Sequence, residues 1–277
     1  MGLVRCSEQK TVSPMHHTAA PGLTKGHARG QHMVLPPLRE GAVSVAIPMP
    51  IINRLLEGLP RKERDRILLG CEPVDLEFGE ILCEPDHPYR HVYFPLTGYI
   101  STVASVSNHQ PLEIRLVGNE GMLGATMALG MNEVPLRAVV QGSGTALRMT
   151  AVQLRREMRA SPHLRRMLRR YLYVLLAQLS QTTACTQFHE IEARLARWLL
   201  LTHDRAHADH FHLTHEFLAD MLGVRRSGIT IAAGALQKRN LIGYTRGEIS
   251  VLDRGGLEAA SCECYEAGME DYDKVFA

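Results

Sequence analysis

The chain has 277 residues, with 31 Lys and Arg against 29 Asp and Glu and a formal net charge of +2. So even a balance excludes a globally basic nucleic-acid binder, and any such role needs a local patch. With 45% hydrophobic residues the length accommodates two modest domains plus extensions. Six scattered cysteines (Cys6, Cys71, Cys83, Cys185, Cys262, Cys264) fit a reducing compartment. No run reaches the roughly 18 apolar residues of a membrane helix, and the N-terminus lacks the apolar core of a signal peptide, so the expected location is the cytoplasm, away from membrane.

Residues 1–48 are rich in Gly, Pro, His, Ser and Thr without sustained periodicity, and are read as a disordered extension. His16-His17, His27 and His32 match no metal-ligand spacing. Ile51 to Leu69 reads as a helical lead-in, with Ile52, Leu55, Leu56 and Leu59 on one part and Pro60 opening a second short helix. From Cys71 short strands alternate with glycine turns: Glu72–Leu76, Glu80–Cys83, His91–Phe94, Tyr99–Val106, Pro111–Val117 and Val134–Met149. That spacing predicts a β-sandwich or roll over 49–150.

A short helix over Ala151–Arg159 comes next, then a long one opened by Ser161-Pro162, where proline suits the first turn. Leu164, Met167, Leu168, Tyr171, Leu172, Leu175, Leu176 and Leu179 give it a wide apolar face. Leu168, Leu175 and Thr182 are seven apart, as are Leu172, Leu179 and Thr186, a spacing that suits a two-helix seam. Leu168, Tyr171, Leu172, Leu175 and Leu179 are therefore the expected dimer contacts within 151–187, with a hinge at 184–188. Arg165, Arg166, Arg169 and Arg170 read as a solvated face. His189 to His203 forms a further amphipathic helix that includes Trp198, and 203–212 reads as a polar loop.

Leu213 to Asp253 carries the most specific pattern. Thr214 is an N-cap, Glu216 favours the positive end of the helix dipole, and Phe217, Leu218, Met221 and Leu222 recur at helical spacing. Gly223 stops that helix, and a second runs from about Arg225 to Arg239 with Ile229, Ala232, Ala233 and Leu236 inward. Two such helices joined through a glycine turn fit a DNA-binding helix-turn-helix. The second places Arg225, Arg226, Ser227 and Thr230 where base edges are met; arginine bonds guanine bidentately, and Ser or Thr reach edges or phosphates. Leu241–Thr245, Arg246-Gly247 and Glu248–Leu252 read as a hairpin, with Arg246 at its tip reaching phosphate. Asp253 caps a short closing helix, and 266–277 reads as a frayed acidic tail.

This stretch resembles the DNA-binding domain of the cyclic-AMP receptor/Fnr (Crp/Fnr) family of bacterial transcription regulators, and Glu192 to Leu200 is similar to the first helix of that domain. The resemblance extends over about 50–265. It implies an α+β chain: a cyclic-nucleotide-binding-like β-roll (a double-stranded β-helix) over 49–150, a dimerisation helix, and a winged helix-turn-helix over 188–265. It further implies a homodimer on near-palindromic double-stranded DNA, with RNA polymerase as a candidate partner. Members that bind cyclic nucleotide carry a glycine followed by a glutamate for the ribose and an arginine about ten residues on for the phosphate. Here the matching run is Gly121-Met122-Leu123-Gly124-Ala125-Thr126-Met127. Ala125 stands at the glutamate position and Val134 or Pro135 at the arginine position, with Arg137 two or three residues off. Gly124, Ala125, Thr126 and Arg137 are the candidate effector pocket, and cyclic AMP is not its expected ligand. In the reader, Arg226 matches the leading recognition arginine, Ser227 replaces the acidic residue common beside it, and Ile231 replaces a second arginine.

No cofactor or metal is expected. Cys6 is alone where an iron–sulfur member carries a cysteine cluster. Cys262-Glu263-Cys264 has one spacer where a metal or redox pair has two, and reads as a buried thiol pair. His87, His91, His109 and His189 are lone histidines rather than haem ligands, and His87 with His91 lacks a cupin pattern, so no enzyme is expected. The rival reading is an interaction or sensor module of the same fold that does not bind DNA.

Overall fold

The computed structural model describes residues 53–107, 111–206 and 208–276; the expectation of disorder over 1–48 and the position of Cys6 lie outside them. The lead-in forms α1 (Arg54–Glu57) and α2 (Arg61–Leu69). Asn53 caps α1 and is itself fully buried. Its Oδ1 accepts from the Leu55 and Leu56 amides at 3.1 and 3.4 Å, and its Nδ2 donates to the Pro95 and Gly121 carbonyls at 3.0 and 2.7 Å. A buried amide is tolerated only when its donors and acceptor are used, so this side chain ties the lead-in to the roll.

The roll comprises β1 (Glu72–Leu76), β2 (Ile81–Cys83), β3 (His91–Pro95), β4 (Tyr99–Ala104), β5 (Leu112–Val117), β6 (Arg137–Gly142) and β7 (Gly144–Thr150). They make two antiparallel sheets, in the orders β1-β7-β3 and β2-β6-β4-β5. Leu76, Tyr93, Ile100, Val117, Leu123, Ala138, Val140 and Ala146 close a core in the roll. The stretch Val134–Met149, expected as one strand, is two. The chain leaves one sheet and joins the other at the Gly142-Ser143-Gly144 corner, because a single straight strand could not pair with both.

Next come α3 (Ala151–Ala160) and α4 (Pro162–Phe188). Ser161 caps α4, its Oγ accepting from the Leu164 amide at 2.9 Å. Two expectations for α4 need correction. It runs unbroken through 184–188, and the chain turns at His189-Glu190. The segment holds no glycine or proline, and the Thr183 and Thr186 hydroxyls donate to carbonyls four residues back, at 2.9 Å each, so they travel with the helix. The seam also differs. Leu168, Tyr171, Leu172 and Leu175 are buried within the chain itself, against the lead-in, roll and α3. Only Leu179 of the expected contacts is exposed; Tyr173, Leu176 and Leu179 line the free face at 63, 65 and 37% exposure. A heptad count cannot tell an intramolecular partner from an intermolecular one.

The C-terminal half contains α5 (Ile191–Ala206), β8 (His210–His212), α6 (His215–Leu222), α7 (Arg226–Lys238), β9 (Ile242–Thr245), β10 (Glu248–Val251), α8 (Arg254–Ala260) and α9 (Cys264–Phe276). The polar loop expected over 203–212 is the end of α5 and then β8, which pairs with β10 and turns Phe211 inward. Asp253 caps α8 through the Gly256 amide at 2.9 Å. The expected frayed tail is α9, laid along α4. Its acidic composition hides Tyr265, Tyr272 and Phe276, spaced so that they share one face. Tyr272 is buried, stacks near Phe276 at 4.8 Å and carries the Arg54 guanidinium over its ring at 4.7 Å. Tyr272→Ala should therefore cost about 2–4 kcal/mol of stability, read as a lower denaturant midpoint; a frayed tail would give no change.

Candidate nucleic-acid interface

The reader is built on α5. Thr214 caps α6, its Oγ1 accepting from the Phe217 amide at 3.1 Å. Gly223 ends α6 at φ +63°, a left-handed conformation that a side chain disfavours, and the Val224 amide closes the turn on the Ala219 carbonyl at 2.9 Å. Arg194 of α5 is buried and donates to the Leu222 carbonyl at 2.5 Å, placing a cation on the negative end of α6. Leu218, Ile229, Ala232, Ala233 and Leu236 lock α6 and α7 onto Leu195 and Leu199. The crossing is close: a Cβ on Gly228 would lie 2.8 Å from the Ile191 side chain.

That packing leaves one face of α7 to solvent. Arg225, Arg226, Ser227 and Thr230 are all exposed on it, Arg225 being the N-cap residue. Thr230 is already engaged: its hydroxyl donates to the Arg226 carbonyl at 3.1 Å and lies 3.1 Å from His215 Nδ1. His215 stacks on Tyr244 with ring centroids 4.2 Å apart, and burial, with Arg226 second, pushes its imidazole below the usual range. Two positions of this face were not singled out as DNA contacts from sequence. Ile231 is 75% exposed, and Gly234 has open space around it. The signal was available: both continue the Arg226/Ser227 stripe at helical spacing, and an exposed isoleucine suits a thymine methyl.

The wing is the sheet β8-β10-β9. Thr245 pairs directly with Glu248, so Arg246-Gly247 is a two-residue turn, with φ of +51 and +89°. Both values belong to the turn that matches strand twist. It holds Arg246 exposed at the tip. Asn240, at φ +57°, ends α7 and lets the Leu241 amide reach back to the Leu236 carbonyl at 3.1 Å.

Residues 193–260 match the model of the Crp-like helix-turn-helix domain. Among solved structures the chain is similar to FixK2 from Bradyrhizobium japonicum, with a TM-score of 0.59 at 16% identity over 69% of this chain and 98% of that one. It is similar also to CLP of Xanthomonas campestris (0.57, 14%, 69 and 99%) and to TTHB099, a CRP-family transcriptional regulator of Thermus thermophilus (0.57, 18%, 68 and 96%). The chain has the fold of the Crp/Fnr transcription regulators, with a helix-turn-helix DNA-binding domain. No curated protein sequence matches it.

Within that fold the residues expected to form an effector pocket serve structure. Gly124, at φ +99°, brings its backbone against Val92, where a Cβ would lie 2.5 Å from a methyl. Ala125 opens a 3₁₀ turn, Ala125–Leu129, and is buried in the core beside the lead-in. The Thr126 hydroxyl donates to Tyr89 at 3.3 Å. Arg137 is half-exposed and ion-paired with Glu84 at 2.9 Å. None of the four lines the cleft of about 920 Å³ between β5, α4, α5 and α9.

That cleft borders the contacts that join roll and reader. The Glu113 carboxylate of β5 accepts from Trp198 Nε1 of α5 and from Ser101 Oγ, each at 2.7 Å. Glu120 pairs with Arg205 at 2.8 Å, and Gln141 Nε2 reaches Met221 Sδ at 3.1 Å. Burial pushes the Glu113 carboxyl up to about 7 against these two donors. The folded chain thus binds a proton that the unfolded chain has lost above 4.5, and stability should fall as pH rises from there to about 7. Glu113→Gln should flatten that slope, monitored by Trp198 fluorescence in denaturant at several pH values; an unaltered slope would exclude Glu113 as its source.

Proposed function

We propose that the protein is a homodimeric, sequence-specific DNA-binding transcription regulator, whose two α7 helices read half-sites about 34 Å apart in a near-palindromic site. The observation that carries this reading is the solvent face of α7: Arg225, Arg226 and Ser227 stand free at the N-terminus of a helix held rigidly by a helix-turn-helix core. Arg226 bonds a guanine edge, Ser227 and Thr230 bond edges or phosphates, Ile231 meets a methyl, and Arg246 of the wing and Thr214 meet the backbone. Thr230 would exchange its bond to His215 for one to DNA. The protein acts in the cytoplasm, contacts RNA polymerase at its target promoters and carries no catalytic centre.

The second copy packs on the free face of α4. Tyr173, Leu176 and Leu179 form an exposed apolar stripe continued by Ser180, Thr183 and Gln187 at three- to four-residue spacing. A stripe of that spacing is what two-helix association requires. Leu176→Glu should convert the dimer to monomer in sedimentation without lowering the helix content.

The roll does not take cyclic AMP. Ala125 offers no carboxylate to a ribose, and Arg137 is spent on Glu84, whereas a buried phosphate needs a cation and converging N–H groups. Selection of bound duplexes from a random pool, with and without cyclic AMP, tests the whole reading. A palindromic motif recovered in both conditions is the expected result; a motif dependent on cyclic AMP would overturn the effector reading, and a lack of DNA retention at low salt would favour the interaction-module reading. Arg226→Ala should cost about 1–3 kcal/mol on the selected site and relax one base position, measured by titration against single-base variants.

A further inference from the structure

Three cysteines and a histidine, distant in sequence, meet where α4 ends. Cys185 lies in the last turn of α4 and His189 caps it, its amide bonded to the Cys185 carbonyl at 3.1 Å. That four-residue interval puts both on one side of the helix. Cys262 lies between α8 and α9, and Cys264 opens α9, so the intervening Glu263 leaves both sulfurs on the same centre. The three Sγ atoms and a ring nitrogen of His189 all lie within 4.8 Å of one another.

We propose that Cys185, His189, Cys262 and Cys264 hold a single zinc ion, a site that fastens the end of α4 to the α8–α9 junction. Two of the six distances are those of a tetrahedron around one ion, and the rest lie within 4.8 Å. Zinc–sulfur and zinc–nitrogen bonds of about 2.3 and 2.05 Å give edges of about 3.8 Å between two sulfurs and about 3.6 Å between sulfur and nitrogen. Cys185 Sγ and Cys262 Sγ are 3.6 Å apart, and Cys264 Sγ and His189 Nδ1 are 3.4 Å apart. The three thiols are 1–6% exposed, so the set is closed to solvent as structural zinc sites are.

The surroundings supply the outer contacts that such a site needs. Glu263 Oε1 is 3.0 Å from His189 Nε2, which places the ring proton on Nε2 and turns the Nδ1 lone pair toward the sulfurs. Gln181 Nε2 donates to Cys264 Sγ at 2.9 Å, a bond that a thiolate accepts better than a thiol. The donor set is thiolate-rich with one imidazole, which selects zinc over the oxygen-seeking cations. A multi-iron cluster is too large for it, because its metals and sulfides must sit between the thiolates. The chain reverses at His189-Glu190 directly before α5, so an ion here clamps the joint between α4 and the reader.

The test uses the full chain purified under reducing conditions without chelator, and needs no DNA, so the site and the DNA-binding reading stand or fall separately. Elemental analysis should give one zinc per chain, and exchange for cobalt should produce the strong visible bands of a tetrahedral, thiolate-rich ion. Cys262→Ser and Cys264→Ser should lose the metal. His189→Cys should keep it with a shifted cobalt spectrum, and Cys83→Ser should keep both metal and spectrum. Removing the ion should lower the melting temperature of the parent and leave that of Cys262→Ser unchanged. Any of four results would overturn the assignment: a folded, zinc-free chain that stays colourless with cobalt, zinc retained in full by both serine variants, iron with labile sulfide, or a Cys185–Cys262 disulfide in the freshly isolated protein.

Discussion

The burial of one broad face of α4 is the constraint on which the other parts depend. Leu168, Tyr171, Leu172 and Leu175 close the core shared by the lead-in, the roll and α3, and α9 returns along the same helix from the far end of the chain. Each such side chain withdrawn from water contributes roughly 1.5–3 kcal/mol, enough that loss of one is felt across the whole chain. Because that face is used internally, the apolar surface α4 leaves exposed is the strip bearing Tyr173, Leu176 and Leu179. Both the attachment of the roll and the strip left exposed follow from how one helix divides its circumference.

Polar contacts join roll and reader beside the packing of Leu112 against the end of α6. Glu113 with Trp198, Glu120 with Arg205 and Gln141 with Met221 connect β-strand and loop residues to α5 and α6. Polar pairs of this kind are directional and break at modest cost when solvent enters, whereas the apolar cores on either side do not. These polar pairs lie beside the 920 Å³ cleft.

Much of the fold was legible because its signals are local. Thr214, Gly223 and the apolar spacing between them specify α6 and its stop, and Arg246-Gly247 specifies a tight hairpin whatever surrounds it. Strand boundaries in the roll followed from glycine turns at Gly79 and Gly98. The failures share a cause. The corner at Ser143, the three-residue β8 and the tyrosines hidden among the acidic residues of α9 acquire meaning only from a partner elsewhere. Composition suggested a frayed tail because it averages over faces, whereas Tyr272 is buried through its single face.

The sequence by itself determined most of the secondary elements, the helix-turn-helix and the set of exposed arginines on α7, because capping, turn chemistry and period act over a few residues. Only the tertiary structure decided which face of α4 is spent within the chain, and that Thr230 is engaged by His215. It alone showed that Arg137 is held by Glu84, and it alone brought Cys185 and His189 to Cys262 and Cys264. Those outcomes rest on pairs far apart in sequence, such as Cys185 and Cys264, 79 residues apart. A one-dimensional pattern lists which groups are available; which of them are already used is set by what packs against them.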